Sequence, residues 1–205
     1  MRTLWLASGS ERRLGMLQRA GFAPRTLVSP VDDDVLQEAS AGVEETCLAR
    51  AWFKARAAQR ILRDPGFEDR GGSGAGIILA ADTLCEADGV LLGKPGSSEQ
   101  ALAMLRSLSG REHRTITGVA LVDVGGSLRS IWSDQTVVRV GGLTADQIDA
   151  YVETGEWMGK SGGYNLADRL EGGWPIEIEG DPDTVMGLPM RRLAPQLREL
   201  VGGGA

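Results

Sequence analysis

The sequence predicts an α/β fold built on a mixed β-sheet, and three observations predict it. Short apolar runs with strand character recur from residue 3 to residue 179. Two of their connections, around Asp88-Gly89 and Gly125-Gly126, are turn pairs that favour φ > 0 and close hairpins. Other connections carry helical periodicity. Strands joined both ways need a sheet with parallel and antiparallel neighbours.

Residues 3–7 (TLWLA) read as a first strand. Ser8-Gly9-Ser10 follows, then Glu11-Arg12-Arg13 and a helix with Leu14, Leu17 and Ala20 on one face, closed by Gly21. A strand, a small-residue loop and a helix N-terminus can bind phosphate, because free N–H groups and the positive end of the helix dipole face the anion. Two arginines in that first turn oppose the dipole rule, and a bound anion would resolve the conflict. An ordinary strand–helix connection with solvated arginines reads equally well. It is not a Walker loop, since the Gly-Lys-Ser/Thr ending is missing.

Residues 25–29 read as a second strand, followed by Asp32-Asp33-Asp34, either a solvated turn or a hard-cation ligand set. Residues 43–62 form a long helix with Leu48, Ala51, Trp52, Ala55 and Ala58 among its apolar positions and Lys54 between them, and 64–76 read as a surface loop. The chain then rises to five apolar residues at 77–81 and drops to Asp82 and Thr83, and a second run at 90–92 ends at Gly93-Lys94-Pro95. This reads as a buried strand with a carboxylate at its end, a hairpin, and a lysine at the far end of the returning strand, so Asp82 and Lys94 come to one side of a sheet. Taken singly, the two residues are also an ordinary turn cap and loop lysine.

Ser97 or Ser98 caps a helix through 109, strands follow at 114–123 and 127–140, and Thr144 with Gln147 forms a capping box for a helix to about 154. Four glycines and Lys160 within 155–164 suggest a backbone that approaches something closely. A last strand at 174–179, Asp181-Pro182 as a cap, and a helix over 190–201 complete the chain. It reads as a single domain over 1–205, with two intimately joined lobes and no clean linker.

Composition narrows the function. A net charge of −6 over 205 residues argues against a general nucleic-acid binder, which needs a broad basic face, but not against a small anionic substrate held by local cations. Cys47 and Cys85 lack metal spacing, and His113 is the only histidine, so a triad or a histidine-rich zinc site is hard to build. No apolar run approaches the ~18 residues of a membrane span, and the opening run is too short for a signal peptide, so a cytoplasmic protein is expected.

Together these segments resemble the Maf family of nucleoside triphosphate pyrophosphatases, over nearly the whole chain. Ser8-Gly9-Ser10-Glu11-Arg12-Arg13 is similar to the family's Ser-x-Ser-Pro-Arg-Arg, with Glu11 in place of proline. Asp32-Asp33 matches its acidic pair, and Lys54-Ala55 its Lys-Ala step. Ala81-Asp82-Thr83 and Gly93-Lys94-Pro95 match its two central motifs. Ser109-Gly110, Thr117-Gly118-Val119, Gly159-Lys160-Ser161-Gly162-Gly163-Tyr164, Ile178-Glu179-Gly180-Asp181 and Val185-Met186-Gly187-Leu188-Pro189 follow in the family's order. One departure concerns base selection. Members acting on dTTP and UTP carry Tyr-Gly-Ile-Gln-Gly, where this chain reads Tyr164-Asn165-Leu166-Ala167-Asp168. Thr83 and Arg12 still agree with that subgroup, and Arg13 argues against the 7-methyl-GTP subgroup.

The resemblance implies an elongated mixed α/β fold with two lobes around a nucleotide-binding cleft, often a homodimer. It implies hydrolysis of a nucleoside triphosphate to monophosphate and pyrophosphate. That reaction needs positioning, charge neutralisation and an activated water. The resemblance assigns Asp82 as the base, with Ser8, Ser10, Arg12, Arg13, Lys54, Thr83, Lys94 and Lys160 on the substrate. Asp33 and Asp82 would hold a divalent metal, Mg2+ or Mn2+. Asp82 as a metal ligand only, with a metal-bound water as nucleophile, is the alternative at that residue. The rival of another class is a non-catalytic nucleotide-binding regulator acting through a partner, for example in division control. Carboxylates beside an anion favour an enzyme over a pure phosphate binder.

Overall fold

The computed structural model describes residues 2–31, 42–68, 76–126 and 129–202. In chain order the elements are β1 (Leu4–Leu6), α1 (Glu11–Arg19), β2 (Arg25–Thr26), α2 (Val43–Leu62), α3 (Pro65–Glu68), β3 (Ile77–Ala87), β4 (Val90–Leu92), α4 (Ser98–Leu108), β5 (Arg111–Asp123), β6 (Arg129–Val140), α5 (Ala145–Glu153), a 3-10 turn (Ser161–Gly163), α6 (Leu166–Glu171), β7 (Ile176–Glu179), α7 (Pro182–Met186) and α8 (Met190–Gly202). The strands form one seven-stranded sheet in the order β2-β1-β3-β5-β6-β7, with β4 paired to β3 outside that path. β1 runs parallel to both β2 and β3, while β4 and β7 pair antiparallel with β3 and β6. The fold is therefore the mixed α/β sheet that the sequence predicts.

The chain divides into two compact units. One comprises Met1–Asp82, Thr117–Asp134 and Gly187–Ala205, the other Thr83–Ile116 and Gln135–Met186. In the first, Trp5, Ile78, Ala80, Ala120 and Val122 of the strands pack against Ala51, Ala55, Ala58 and Leu62 of α2. Small residues on the buried face of α2 let its backbone come close to the sheet. At Gly118 the approach is so tight that a Cβ would stand 2.6 Å from the Cys47 carbonyl carbon, a backbone atom that no rotamer change can move aside. In the second unit, Ala101, Leu105 and Leu108 of α4 pack with Val138, Val140, Ile148 and Tyr151, and the Trp157, Tyr164 and Trp174 rings close the core.

Several boundaries fall where local chemistry puts them. Helix α2 spans Val43–Leu62. Asp88 and Gly89 take φ of 50° and 77°, the left-handed pair that a two-residue hairpin needs. The Thr144–Gln147 capping box is formed. Four readings need correction. β3 does not end at Asp82 but runs eleven residues to Ala87, with Asp82 in its interior. β2 is two exposed residues rather than five, because only Arg25 and Thr26 find ladder partners on β1. Residues 64–76 include the short helix α3, opened by Pro65 behind the Asp64 side chain, which accepts from the Gly66 N–H at 2.8 Å. Residues 164–173, unassigned by the sequence pattern, hold α6, which the Asn165 side chain caps.

Candidate functional site

The β1–α1 loop is organised by its own serines. Ser10 caps α1, its Oγ accepting from the Arg13 N–H at 3.4 Å, and the Ser10 N–H donates to Ser8 Oγ at 3.2 Å. The Arg13 guanidinium turns back. Its Nε donates to the Gly187 carbonyl at 2.9 Å and its Nη1 to Ser8 Oγ at 3.4 Å, which ties the loop to the segment ahead of α8. Arg12 is exposed on the same turn.

Asp82 lies in the middle of β3, only 6% exposed. A buried carboxylate is tolerable only with partners, and α2 supplies them. Lys54 Nζ donates to Asp82 Oδ1 at 2.6 Å, and Arg50 Nη1 stands 3.6 Å from Oδ2. The two cations are one helical turn apart, so both look from the same face of α2 onto the strand. Asp82 Oδ2, Arg50 Nε and Arg50 Nη2 are buried and have no hydrogen-bond partner among the described residues. Arg50 escaped the sequence reading. The available signal was an arginine at i−4 from Lys54 on the buried stripe of a long helix.

The second unit holds the remaining candidates. Thr83 is half-buried, next in the strand to Asp82 but on the opposite pleat. Lys94 is exposed beyond β4, whose Leu92 pairs with Cys85. The glycine-rich segment docks beside it, since the Gly162 N–H donates to the Gly93 carbonyl at 3.2 Å. Lys160, two residues before Gly162, lies 3.9 Å from the Asp168 carboxylate. The glycines here serve conformation more than close approach. Gly162 and Gly163 take φ of 75° and 74°, and a Cβ at either would make only ordinary contacts.

The strand that carries Asp82 also carries a second buried carboxylate. Both Glu86 oxygens accept from Arg114 Nη2 at 2.8 Å. His113 is buried with Nε2 2.9 Å from the Tyr164 hydroxyl and Nδ1 without a partner. Burial lowers its pKa from 6.5 to about 4 and raises that of Tyr164 well above the usual tyrosine range, so both are neutral near pH 7. His113 is thus a core group, in keeping with a site built without histidine.

Toward a divalent cation Asp82 Oδ2 is a carboxylate oxygen with no hydrogen-bond partner among the described residues, 3.6 Å from Arg50 Nη1. The described residues contain no group of three His, Cys, Asp or Glu side chains arranged to hold a metal. Asp33, the other expected ligand, lies outside the described residues with the rest of the acidic run. No described helix is long and apolar enough to cross a membrane.

Comparison with known proteins gives this arrangement its context. The model of the Maf-like protein family matches residues 3–200. A dTTP/UTP pyrophosphatase of Salinibacter ruber is 36% identical over 195 residues, 95% of this chain and 89% of its own. Another dTTP/UTP pyrophosphatase, from Symbiobacterium thermophilum, is 38% identical over 199 residues, 97% and 94% of the two chains. A nucleoside triphosphate pyrophosphatase of Salinispora tropica is 36% identical over 197 residues, 96% of this chain and 83% of its own. Matched over residues 3–200 by the family model and over 95–97% of its length by these relatives, the chain belongs to the Maf-like protein family.

Proposed function

We propose that the chain hydrolyses nucleoside triphosphates to the monophosphate and pyrophosphate, a house-cleaning activity on non-standard or pyrimidine nucleotides. The observation that carries it is Asp82, a carboxylate buried in a strand with one oxygen hydrogen-bonded to Lys54 and the other facing Arg50 at 3.6 Å, without a hydrogen-bond partner among the described residues. Membership of a family whose relatives are named pyrophosphatases supports the reaction class. In this reading Asp82 Oδ2 takes a proton from water, the water oxygen attacks at the α–β anhydride, and the bridging P–O bond breaks with pyrophosphate leaving. Arg12, Arg13, Lys54 and Lys94 neutralise phosphate charge, and Ser8, Ser10, Thr83 and Lys160 contact the substrate. Mg2+ or Mn2+ held by Asp33 and Asp82 would neutralise phosphate charge further. The same reading has the enzyme acting in the cytoplasm on free nucleotides rather than nucleic acid, as a homodimer.

The test is a nucleotide panel with magnesium, measuring pyrophosphate and orthophosphate separately. Pyrophosphate is the expected product. Orthophosphate from the γ position would overturn the reaction, and tight nucleotide binding without turnover would leave a binding protein instead.

Arg12→Ala and Lys94→Ala are each expected to weaken triphosphate binding by about ten- to a hundredfold, the worth of a charged hydrogen bond. Monophosphate binding should fall much less. Titration calorimetry with both ligands checks this, and equal losses would take these residues off the β- and γ-phosphates.

Base selection is expected to be loose. A buried amide that reads a base edge rejects analogues strongly because mismatch leaves it unpaired, and Ala167 has no amide to leave unpaired. Asn165 is the nearest substitute, but its Oδ1 already accepts from the Ala167 N–H at 3.1 Å as the cap of α6. The preference for dTTP and UTP over CTP, GTP and ATP should therefore stay below about a thousandfold in kcat/KM, with Ala167→Gln sharpening it. A larger preference in the parent protein sinks the prediction. If Asn165→Ala abolished that preference, Asn165 would be the reader.

A further inference from the structure

We infer that Arg50 is a positioning residue that acts through Asp82 in the hydrolysis proposed above, on which this inference rests. Arg50 and Lys54 project from one face of α2 onto opposite oxygens of the same carboxylate, at 3.6 Å from Oδ2 and 2.6 Å from Oδ1. Lys54 alone would neutralise Asp82. Arg50 is thus a second cation on one buried carboxylate, where the Arg50, Lys54 and Asp82 side chains keep only 6%, 12% and 8% exposure. Arg50 also brings two buried donors, Nε and Nη2, for which the described residues supply no hydrogen-bond partner. An unmade hydrogen bond at a buried donor is a net cost, and exchanging buried ionic groups for apolar ones of similar volume is often neutral or stabilising.

Stability therefore does not account for an arginine at this place. What it adds is a second, stiffer hold on the carboxylate. With both oxygens facing cations the Asp82 plane is fixed, and the hold persists when a phosphate oxygen competes for Lys54, the most exposed of the three. The burial of Nε and Nη2 keeps the guanidinium off the substrate. Arg50 acts on the orientation of the reacting group rather than on nucleotide affinity.

The experiment makes Arg50→Met and Arg50→Lys, and Arg50→Met in an Asp82→Asn background. Thermal unfolding and steady-state pyrophosphate release are measured beside the wild type. For Arg50→Met the melting temperature should hold or rise, kcat should fall about tenfold or more, and KM should stay within about twofold. Arg50→Lys should recover most of kcat. In the Asp82→Asn background Arg50→Met should cost less than about twofold, because the two residues act as one unit. A melting temperature that falls with activity would make Arg50 structural. A raised KM at unchanged kcat would put it on the substrate, and equal losses in both backgrounds would uncouple it from Asp82. Each of these overturns the inference. A wild type that releases no pyrophosphate removes the reaction itself, whereas normal kcat in Arg50→Met beside an active wild type removes only the role of Arg50.

Discussion

Asp82→Asn should lower turnover by about 10²-fold or more, some 2.7 kcal/mol of transition-state stabilisation, the scale expected for losing a general base. Asparagine keeps the shape of the side chain but cannot take a proton from water. Asp82 differs in kind from the other buried carboxylate of its strand. Glu86 spends both oxygens on Arg114, while Asp82 has one oxygen on Lys54 and one without a hydrogen-bond partner. The substitution also removes the negative charge that Arg50 and Lys54 both face. Nucleotide binding should therefore survive and even tighten, since Lys54 then meets a triphosphate without the competing Asp82 carboxylate. The same loss should lower the melting temperature of the nucleotide-free protein, because charges stripped of a buried partner are costly. Turnover is best measured well below that temperature, with calorimetric nucleotide binding as the check of folding. Near-normal turnover in a variant that binds nucleotide would remove Asp82 from the mechanism.

The parts of the fold legible in the sequence are those that local chemistry decides. The extent of α2, the Asp88-Gly89 turn and the Thr144–Gln147 capping box each depend on neighbours within a few residues. The errors come from distant compensation. A fall from five apolar residues to Asp82 looks like the end of a strand, because a lone carboxylate inside a sheet is too costly. Here α2, some thirty positions earlier, supplies Lys54 and Arg50, and β3 runs on. Glu86 remains buried in the same strand for the same reason, with Arg114 arriving from β5.

The candidate site was legible to a similar degree. The carboxylate, Lys54 and the serine–arginine loop could be named from motifs in order, but their partners could not. Nothing local says that Arg13 reaches the Gly187 carbonyl, or that Arg50 faces the carboxylate beside Lys54. The glycine-rich segment reads from sequence as a close backbone approach. Positive φ at Gly155, Gly159, Gly162 and Gly163 gives the simpler cause, a run of turns that side chains would strain.

Acid should destabilise this protein through His113. Its imidazole is enclosed in the second unit with Nε2 on the Tyr164 hydroxyl, and either tautomer leaves Nδ1 unsatisfied. Burial disfavours the charged ring and lowers its pKa from 6.5 to about 4. Above pH 6.5 the ring is neutral whether the chain is folded or not, and the group has no effect on stability. As pH falls below 6.5 the unfolded chain takes up a proton that the folded chain refuses until about pH 4. Stability is therefore lost across that window, by about 3 kcal/mol in all and about 2 kcal/mol by pH 5. Urea unfolding at pH 7 and pH 5 measures the loss, but carboxylates contribute to it as well. His113→Gln separates them, because glutamine can still bond the Tyr164 hydroxyl and does not titrate. The drop in unfolding free energy from pH 7 to pH 5 should be smaller in His113→Gln than in the wild type by about 2 kcal/mol. Equal drops in the two proteins would mean that the folded state accepts the imidazolium, and that His113 is less enclosed than its surroundings imply.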